Sequence, residues 1–462
     1  MSENHKELTK EIANFVVATR LENTPRDVIE RGQIHLLDAL GLGIAGTESA
    51  VFKKIKTYIG TGNKNKTSSI LCNSLQVSAS SAALANGTAM HADNYDDTNP
   101  QPTPDRNGGI HAGAVVIPAT LAVGEAVGAT GAELSAAMHC GLEVACKLNH
   151  GINARHYQSG YHATSSLGIF GATAAAARLL KLDEAGVINA LAIATAKAGG
   201  IRGNFGTMTE QIHCGTAAES GVAAAGMALS GITGAPAIFE RKNGWFGATA
   251  GGFIPEAICG KLGKPWAIVD PGTSIKPWPN GALTHPAMEL MLKLMSENEI
   301  KPDKIQEISV QTNQRVRETL VHDNPNNASE ARFSMPFALA ALVLNGHAGL
   351  RIFSDQMVTN PAIKALMRKI NFSSYSQIKS DYSNVTSLIK LRMNDGQVIN
   401  GRADFARGSK NAPMNWEEIE KKFRECADHG AWPCEKQTAI LSFVRDLESS
   451  PNLEPLMSAL TI

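Results

Sequence analysis

The chain carries no excess of either charge: Lys plus Arg and Asp plus Glu each number 43, for a formal net charge of zero. A nucleic-acid or anionic-membrane partner needs a basic stripe, so neither is expected. The lysine-rich stretch 53–66 is short and reads as a solvated face and loop. Paired cysteines are lacking too. The seven cysteines (Cys72, Cys140, Cys146, Cys214, Cys259, Cys426, Cys434) are scattered and odd in number, with no C-x-x-C. That is the pattern of free thiols in a reducing compartment. The first residues mix charges without an apolar run, so no secretory signal is read. The most apolar windows, such as 113–127, are rich in Gly and Ala and interrupted by Glu125. They are too short and too weakly apolar to span a bilayer. A soluble cytoplasmic protein is the expectation.

Cofactor and nucleophile signatures are missing as well. There is no H-E-x-x-H, no G-x-G-x-x-G after a strand, no P-loop and no G-x-S-x-G elbow. Zinc chemistry, nucleotide cofactors and a serine-hydrolase mechanism therefore have no support, and no metal or cofactor is expected.

What is present suits an enzyme. At 462 residues, 43% hydrophobic and 19% charged, the chain is globular and long enough for two domains. From about residue 78 to 251 small residues dominate, broken by glycines. Small side chains let helix axes approach closely, which reads as a compact bundle of buried helices. The character changes near Lys264-Pro265, where prolines and strand-like segments begin. Residues 305–312 and 387–393 have strand chemistry, and Asp395-Gly396 predicts a type I′ hairpin into 398–403. The pattern is helical again from Trp416 onward. The fold class expected is mainly α: a large all-helical domain (1–266 plus 406–462) with an inserted smaller α+β domain (267–405) of antiparallel sheet plus helices.

Polar residues cluster in otherwise apolar surroundings. The densest stretch is His91-Ala-Asp-Asn-Tyr-Asp-Asp-Thr98, with three carboxylates in eight residues after an Ala-rich run. Burying carboxylates costs several kcal/mol each unless cations, metals or donors answer them. The others are His111-Ala-Gly113, residues 155–164, 203–215 and 276–285, and Ala331-Arg-Phe-Ser-Met-Pro336. Each has a plain structural alternative. The octet also reads as a solvated helix end, His111 as a helix cap, His162 with Thr164 as a capping pair, and Glu210 with His213 as a surface pair. Lys276 and His285 also read as stabilisers of a Pro-rich loop. Asp93-x-x-Asp96-Asp97 superficially fits a Mg²⁺–diphosphate site, but no second metal motif accompanies it. Taken together, histidines, lysine and arginines without cofactor motifs suit proton chemistry on a small anionic substrate.

At these residues the sequence resembles the MmgE/PrpD family. The matching segments are His91-Ala-Asp-Asn-Tyr-Asp-Asp, His111-x-Gly113, Gly160-Tyr-His-x-Thr164, His213-x-Gly-x-Ala-Ala218 and Lys276-Pro-Trp-Pro with Thr284-His285. They run in family order over roughly residues 10 to 450. The resemblance implies a site between a helical and an α+β domain, a homodimer, and cofactor-independent chemistry on a small di- or tricarboxylic acid. His162, His111, Lys276 and Asp96 are the catalytic candidates it suggests, and Tyr161, a departure from the family pattern whose phenol could give or take a proton, is added to them. Asp97, Thr98, Arg155, Arg202, Glu210, His213 and His285 are candidates for substrate binding. Within the octet, Asp93 reads as a solvated helix-end residue and His91 as structural.

This chain also departs from the family pattern. Asn94 stands where an aspartate is usual, Ala112 where proline is usual, and Tyr161 where tryptophan is frequent. Glu210 stands where lyases of the family carry lysine. That exchange reverses a charge and would repel a substrate carboxylate, with Arg202 or Arg155 as replacement clamps. A dehydratase or decarboxylase of the methylcitrate or aconitate type is the first expectation. An epimerase inverting a carbon α to a carboxylate, with Tyr161 and Lys276 as its two bases, is the alternative.

Overall fold

The computed structural model describes residues 7–60, 66–100, 109–377 and 385–462. They form two compact units, one of Met1–Ala92, Asp96–Ile275 and Asn415–Ile462, the other of Asp93–Tyr95 and Lys276–Met414. The described residues are mostly helical, with a small sheet domain, as the sequence predicts.

The first unit opens with α1 (Leu8–Ala18), α2 (Arg26–Gly46) and α3 (Ala50–Gly60). Residues 1–6 and 61–65, parts of the N-terminal and lysine-rich stretches read above, lie outside the described residues. A short hairpin, β1 (Ser68–Ser69) with β2 (Gln76–Val77), leads to α4 (Ala79–His91). There follow α5 (Gly113–Val127), α6 (Gly131–Gly151), the single turn α7 (Arg155–Gln158), α8 (Ala163–Leu179) and α9 (Glu184–Ala194). The short α10 (Met208–Gln211) runs into α11 (His213–Leu229), and α12 (Trp245–Ala250) comes next.

Helix α11 packs on α4 and α8, while α6 packs on α8. The glycines explain the close approach. A Cβ on Gly141 would lie 2.6 Å from the Gly171 carbonyl oxygen, and one on Gly215 would lie 2.3 Å from that of Leu84. Real Cβ atoms do not sit at such distances, so any larger residue would push these helices apart.

In the second unit α13 (His285–Glu297) precedes β3 (Ile305–Thr312). Then come α14 (Gln314–Thr319), α15 (Ala328–Ala331), α16 (Met335–Asn345), α17 (Asp355–Val358) and α18 (Pro361–Met367). The sheet is completed by β4 (Ile370–Ser374), β5 (Ser387–Met393) and β6 (Val398–Ala403), in the order β4-β3-β5-β6. It is mixed, not antiparallel: β3 and β4 run parallel because the helical segment between them supplies a crossover. The hairpin after β5 also differs from expectation. Gly396 N donates to Met393 O at 3.0 Å, and within this turn only Gly396 has positive φ, 91°. A type I′ turn needs positive φ at both central residues, so this is a longer loop closed by a left-handed glycine. Ile305, Ile308, Val310, Ile389 and Leu391 form the buried sheet face, in one apolar core with residues of α13 and α16.

The chain ends in α19 (Trp416–His429), α20 (Cys434–Arg445) and α21 (Glu454–Leu460), with α19 packed on α2. The units divide at 275/276 and 414/415. Polar bonds tie the Pro-rich segment to the first unit: Asn99 Nδ2 donates to Ala267 O and Thr273 Oγ1, each at 3.0 Å. All seven cysteines are free. Among the described residues no helix is long and apolar enough to cross a membrane.

Candidate active site

In the first unit the ends of α4, α5, α8 and α11 bring four histidines together. His91 is the last residue of α4, His111 precedes α5, His162 is the N-cap of α8, and His213 is the first residue of α11. The ring centroid of His91 lies 5.6 Å from that of His111 and 6.3 Å from that of His162, and the centroids of His162 and His213 are 5.2 Å apart.

The turn after α4 makes this possible. Asn94 has φ +52°, a left-handed conformation that asparagine tolerates better than most side chains. The chain then folds back, so that Asp96 Oδ2 lies 2.7 Å from His91 Nδ1. On the other side of the ring, Glu210 Oε1 lies 3.0 Å from His91 Nε2. The neighbouring Gln211 fixes α10 here, its Nε2 donating to Ala92 O at 2.7 Å. Glu210 is thus buried and turned inward, bonded to a histidine.

The three octet carboxylates have separate fates. Asp97 Oδ1 accepts from Gly113 N at 3.1 Å and so caps α5. A Cβ at Gly113 would sit 2.9 Å from Asp97 Oδ2, which is why a glycine follows His111 by two. Asp93 is not merely solvated: within the second unit it accepts from Arg332 Nη2 at 2.8 Å. His111 Nδ1 lies 2.5 Å from Asp97 O and 3.2 Å from Thr98 Oγ1. A carbonyl only accepts, so Nδ1 carries the proton and Nε2 the lone pair of the neutral ring.

Burial and neighbouring charge tune these rings in opposite directions. Burial works to lower the pKa of His91, but Asp96 overcomes it and holds the value well above the ordinary one. The Cys214 thiol beside it is pushed by burial to about 11 and stays protonated at neutral pH, so the carboxylates supply the compensating charge. His162 is driven well below the ordinary histidine value by burial and by His91, His111 and His213. His213 is also lowered by burial, against an opposing pull from Glu210. Both stand at helix N-termini, where the backbone dipoles disfavour a cation.

His91, Asp96 and Cys214 offer three possible metal-ligand atoms within 4.8 Å of one another. As arranged, His91 presents both nitrogens to carboxylates and the thiol keeps its proton. A metal would have to displace protons from both, so the set fits an ion-pair cluster better than a metal centre.

The other expected site residues are held by other partners. Tyr161 stacks flat on His156, centroids 4.3 Å apart. Arg202 is held against Tyr157, donating from Nη2 to its carbonyl at 2.7 Å with the guanidinium 3.8 Å over its ring. Arg155 is exposed and lies against Gly251. In the second unit Lys276 Nζ donates to Asn94 O at 2.5 Å. There His285 Nε2 meets Asn280 Oδ1 at 2.8 Å, and the ring packs edge-on to Trp278. The structure gathers His111, His162, His213, Asp96 and Glu210, each expected at the site, into one cluster with His91, which the sequence reading took as structural. Its five-residue spacing from Asp96 was the available signal.

Fold and site together define a mainly helical protein with a buried, histidine-rich acid–base cluster. The MmgE/PrpD N-terminal domain matches residues 10–257 and the MmgE/PrpD C-terminal domain matches residues 278–449, so the chain belongs to the MmgE/PrpD family. It is similar over nearly its whole length to cis-aconitate decarboxylase of Homo sapiens, 27% identical over 467 residues, covering 98% of this chain and 95% of the relative. It is also similar to cis-aconitate decarboxylase of Aspergillus terreus, 22% identical over 479 residues, covering 98% and 96%. The cis-aconitate decarboxylase-like protein oryM of Aspergillus oryzae is likewise 22% identical, covering 98% and 97%.

Proposed function

We propose that the protein is a lyase that moves a proton next to a carboxylate of a small di- or tricarboxylic acid, by decarboxylation or dehydration. The observation that carries this reading is His162: a buried imidazole, kept neutral at neutral pH, within one cluster with His111 and His213. A neutral imidazole takes a proton from carbon or oxygen, and burial makes its conjugate acid ready to return it. The named activity of the relatives supports the same class and makes cis-aconitate the first substrate to try.

In a decarboxylation the C–CO₂ bond breaks and its electron pair passes into the adjoining conjugated system. An imidazolium then protonates carbon, its own proton having come from water. In a dehydration His162 removes the α-proton, and an acid such as protonated His111 assists hydroxide departure. The proton-transfer part rests on the first unit by itself and uses only side chains. The second unit is taken as an insertion in the helical domain, and the protein as a homodimer whose mass in solution checks that part.

The test is incubation with cis-aconitate, 2-methylcitrate and citrate, following CO₂ release and product mass. Conversion of one of them is expected; silence with all three sinks the lyase reading. One observation favours a second reading. Glu210 puts a buried negative charge into the cluster, which suits inversion at a carbon α to a carboxylate better than the holding of a further carboxylate. Deuterium entry at that carbon from D₂O, without loss of CO₂ or water, identifies the epimerase.

A further inference from the structure

His162 and His213 are joined nitrogen to nitrogen, Nδ1 to Nδ1, at 2.9 Å. Such a contact requires one hydrogen on the line between them: one ring donates Nδ1–H and the other accepts with an Nδ1 lone pair. The donor ring then carries its remaining lone pair on Nε2, and the acceptor ring carries its own hydrogen on Nε2. Both residues are more than nine-tenths buried, and neither Nε2 has a hydrogen-bond partner among the described residues. The pair is therefore a short wire with an open end on each side, and it rests on two rigid helix starts, α8 and α11.

We propose that His213 is the second member of a two-histidine proton relay, receiving through the Nδ1–Nδ1 contact the proton that His162 takes at Nε2. This rests on the acid–base reading of the site and adds a direction and an exit. The steps balance. Substrate C–H breaks as His162 Nε2–H forms; His162 Nδ1–H breaks as His213 Nδ1–H forms; His213 Nε2–H then leaves to water. Each ring ends neutral, with its tautomer exchanged, and the return journey of a proton resets both.

The surrounding charges set the direction. His162 faces His91 and His111, which oppose a positive charge on it more than Asp96 favours one. His213 faces His91 too, but also Glu210, which favours a positive charge. Cys214, next in the chain, stays a neutral thiol and adds no charge at neutral pH. A proton arriving at His162 is therefore better held at His213, one hydrogen bond further on. A single buried histidine would have to hold the charge where it is least tolerated.

The test replaces His213 with Asn, whose side-chain oxygen still accepts from His162 Nδ1–H but cannot pass a proton on. In the active enzyme, His213→Asn is expected to lower kcat about 10²-fold with KM within a few-fold of wild type. Added imidazole should restore part of the rate, and exchange of substrate-derived hydrogen with D₂O should slow relative to turnover. Equal kcat, or loss confined to KM, would overturn the relay. A second measurement needs no substrate: ¹⁵N-histidine NMR of the wild-type protein should show one shared Nδ1 proton coupled to both rings, and a single proton taken up by the pair. Two independent titrations would refute it. Should no carboxylic acid be turned over while the shared proton is seen, the lyase reading falls and the coupled pair stands.

Discussion

Two histidines of the helical unit are held in nearly the same way and come out opposite. His91 has Nδ1 at 2.7 Å from Asp96 and Nε2 at 3.0 Å from Glu210. His139, on α6, has Nδ1 at 2.6 Å from Ser135 O and Nε2 at 3.0 Å from Val28 O. Each ring is 1% exposed and clamped between two oxygen acceptors. Burial lowers the pKa of His139, and two carbonyls do not reverse it; at His91, Asp96 does. Burial is common to both, so the formal charge of the acceptors decides. Neutral His139 is a brace with one N–H for its two carbonyls: with Nε2–H on Val28 O, Nδ1 is left to accept from Ser135 Oγ at 3.4 Å. A histidine between carboxylates is a cation that donates to both.

The largest effect that separates the two is removal of the ring. His91→Leu would leave Asp96 and Glu210 buried without their cation, a loss of about 3–5 kcal/mol in chemical denaturation. His139→Leu strands only carbonyls and should cost clearly less. Equal losses would end the distinction.

Acid separates them next. His91 has a folded pKa above its unfolded value of about 6.5. Its contribution is fully present below that pH and is lost as pH rises through the folded value. His139 belongs with His150 and His156, both lowered by burial to about 4. For all three the unfolded chain binds the proton first, so stability falls as pH drops from about 6.5, and for His150 and His156 the fall levels off near 4. His150 and His156 should each cost about 3 kcal/mol by the bottom of that window. Melting curves from pH 7 to 4 test it: replacing His156 with Gln should flatten the slope, whereas an unchanged slope would show that carboxylates alone drive the acid loss.

A smaller effect tests the brace from its other side. A Cβ at Gly32 of α2 would lie 2.0 Å from His139 Nε2, so His139 reaches Val28 O only because residue 32 is glycine. Gly32→Ala should destabilise by about 1–3 kcal/mol through this clash. In the double variant with His139→Ala the added methyl should cost almost nothing. Additive losses would show that the glycine serves some other contact.

These pairings mark where the sequence stops being readable. The small-residue helices and the strand segments announce themselves by composition and alternation, which are local properties. The octet announced three carboxylates, yet Asp93, Asp96 and Asp97 went to Arg332, His91 and Gly113 N. Two of those partners are distant in sequence, and no periodicity reports them. Glu210 is the sharpest case: four residues of α10 carry no face signal, and only its bond to His91, with the Gln211–Ala92 bond beside it, shows that it turns inward. The parallel β3–β4 pair was hidden for a related reason, since helices between strands read alike whether the chain crosses over or returns. His139 shows the converse. On sequence it is one apolar-face histidine among many, and its role depends on a glycine on another helix.

The finest division of the two cases comes from Glu210→Gln. The amide keeps the shape of the side chain and can still accept from His91 Nε2, but it removes one of the two charges. His91 would then stand between one carboxylate and one neutral oxygen, halfway to His139. Its titration, followed by ¹⁵N-histidine NMR, should move down from well above the ordinary histidine range toward it. His213, relieved of Glu210, should become harder to protonate. Stability near neutral pH should fall by only about 1–2 kcal/mol, the difference between a charge-assisted and a neutral hydrogen bond. An unmoved His91 would mean that Asp96 alone holds the proton there, and that Glu210 is placed for His213 instead.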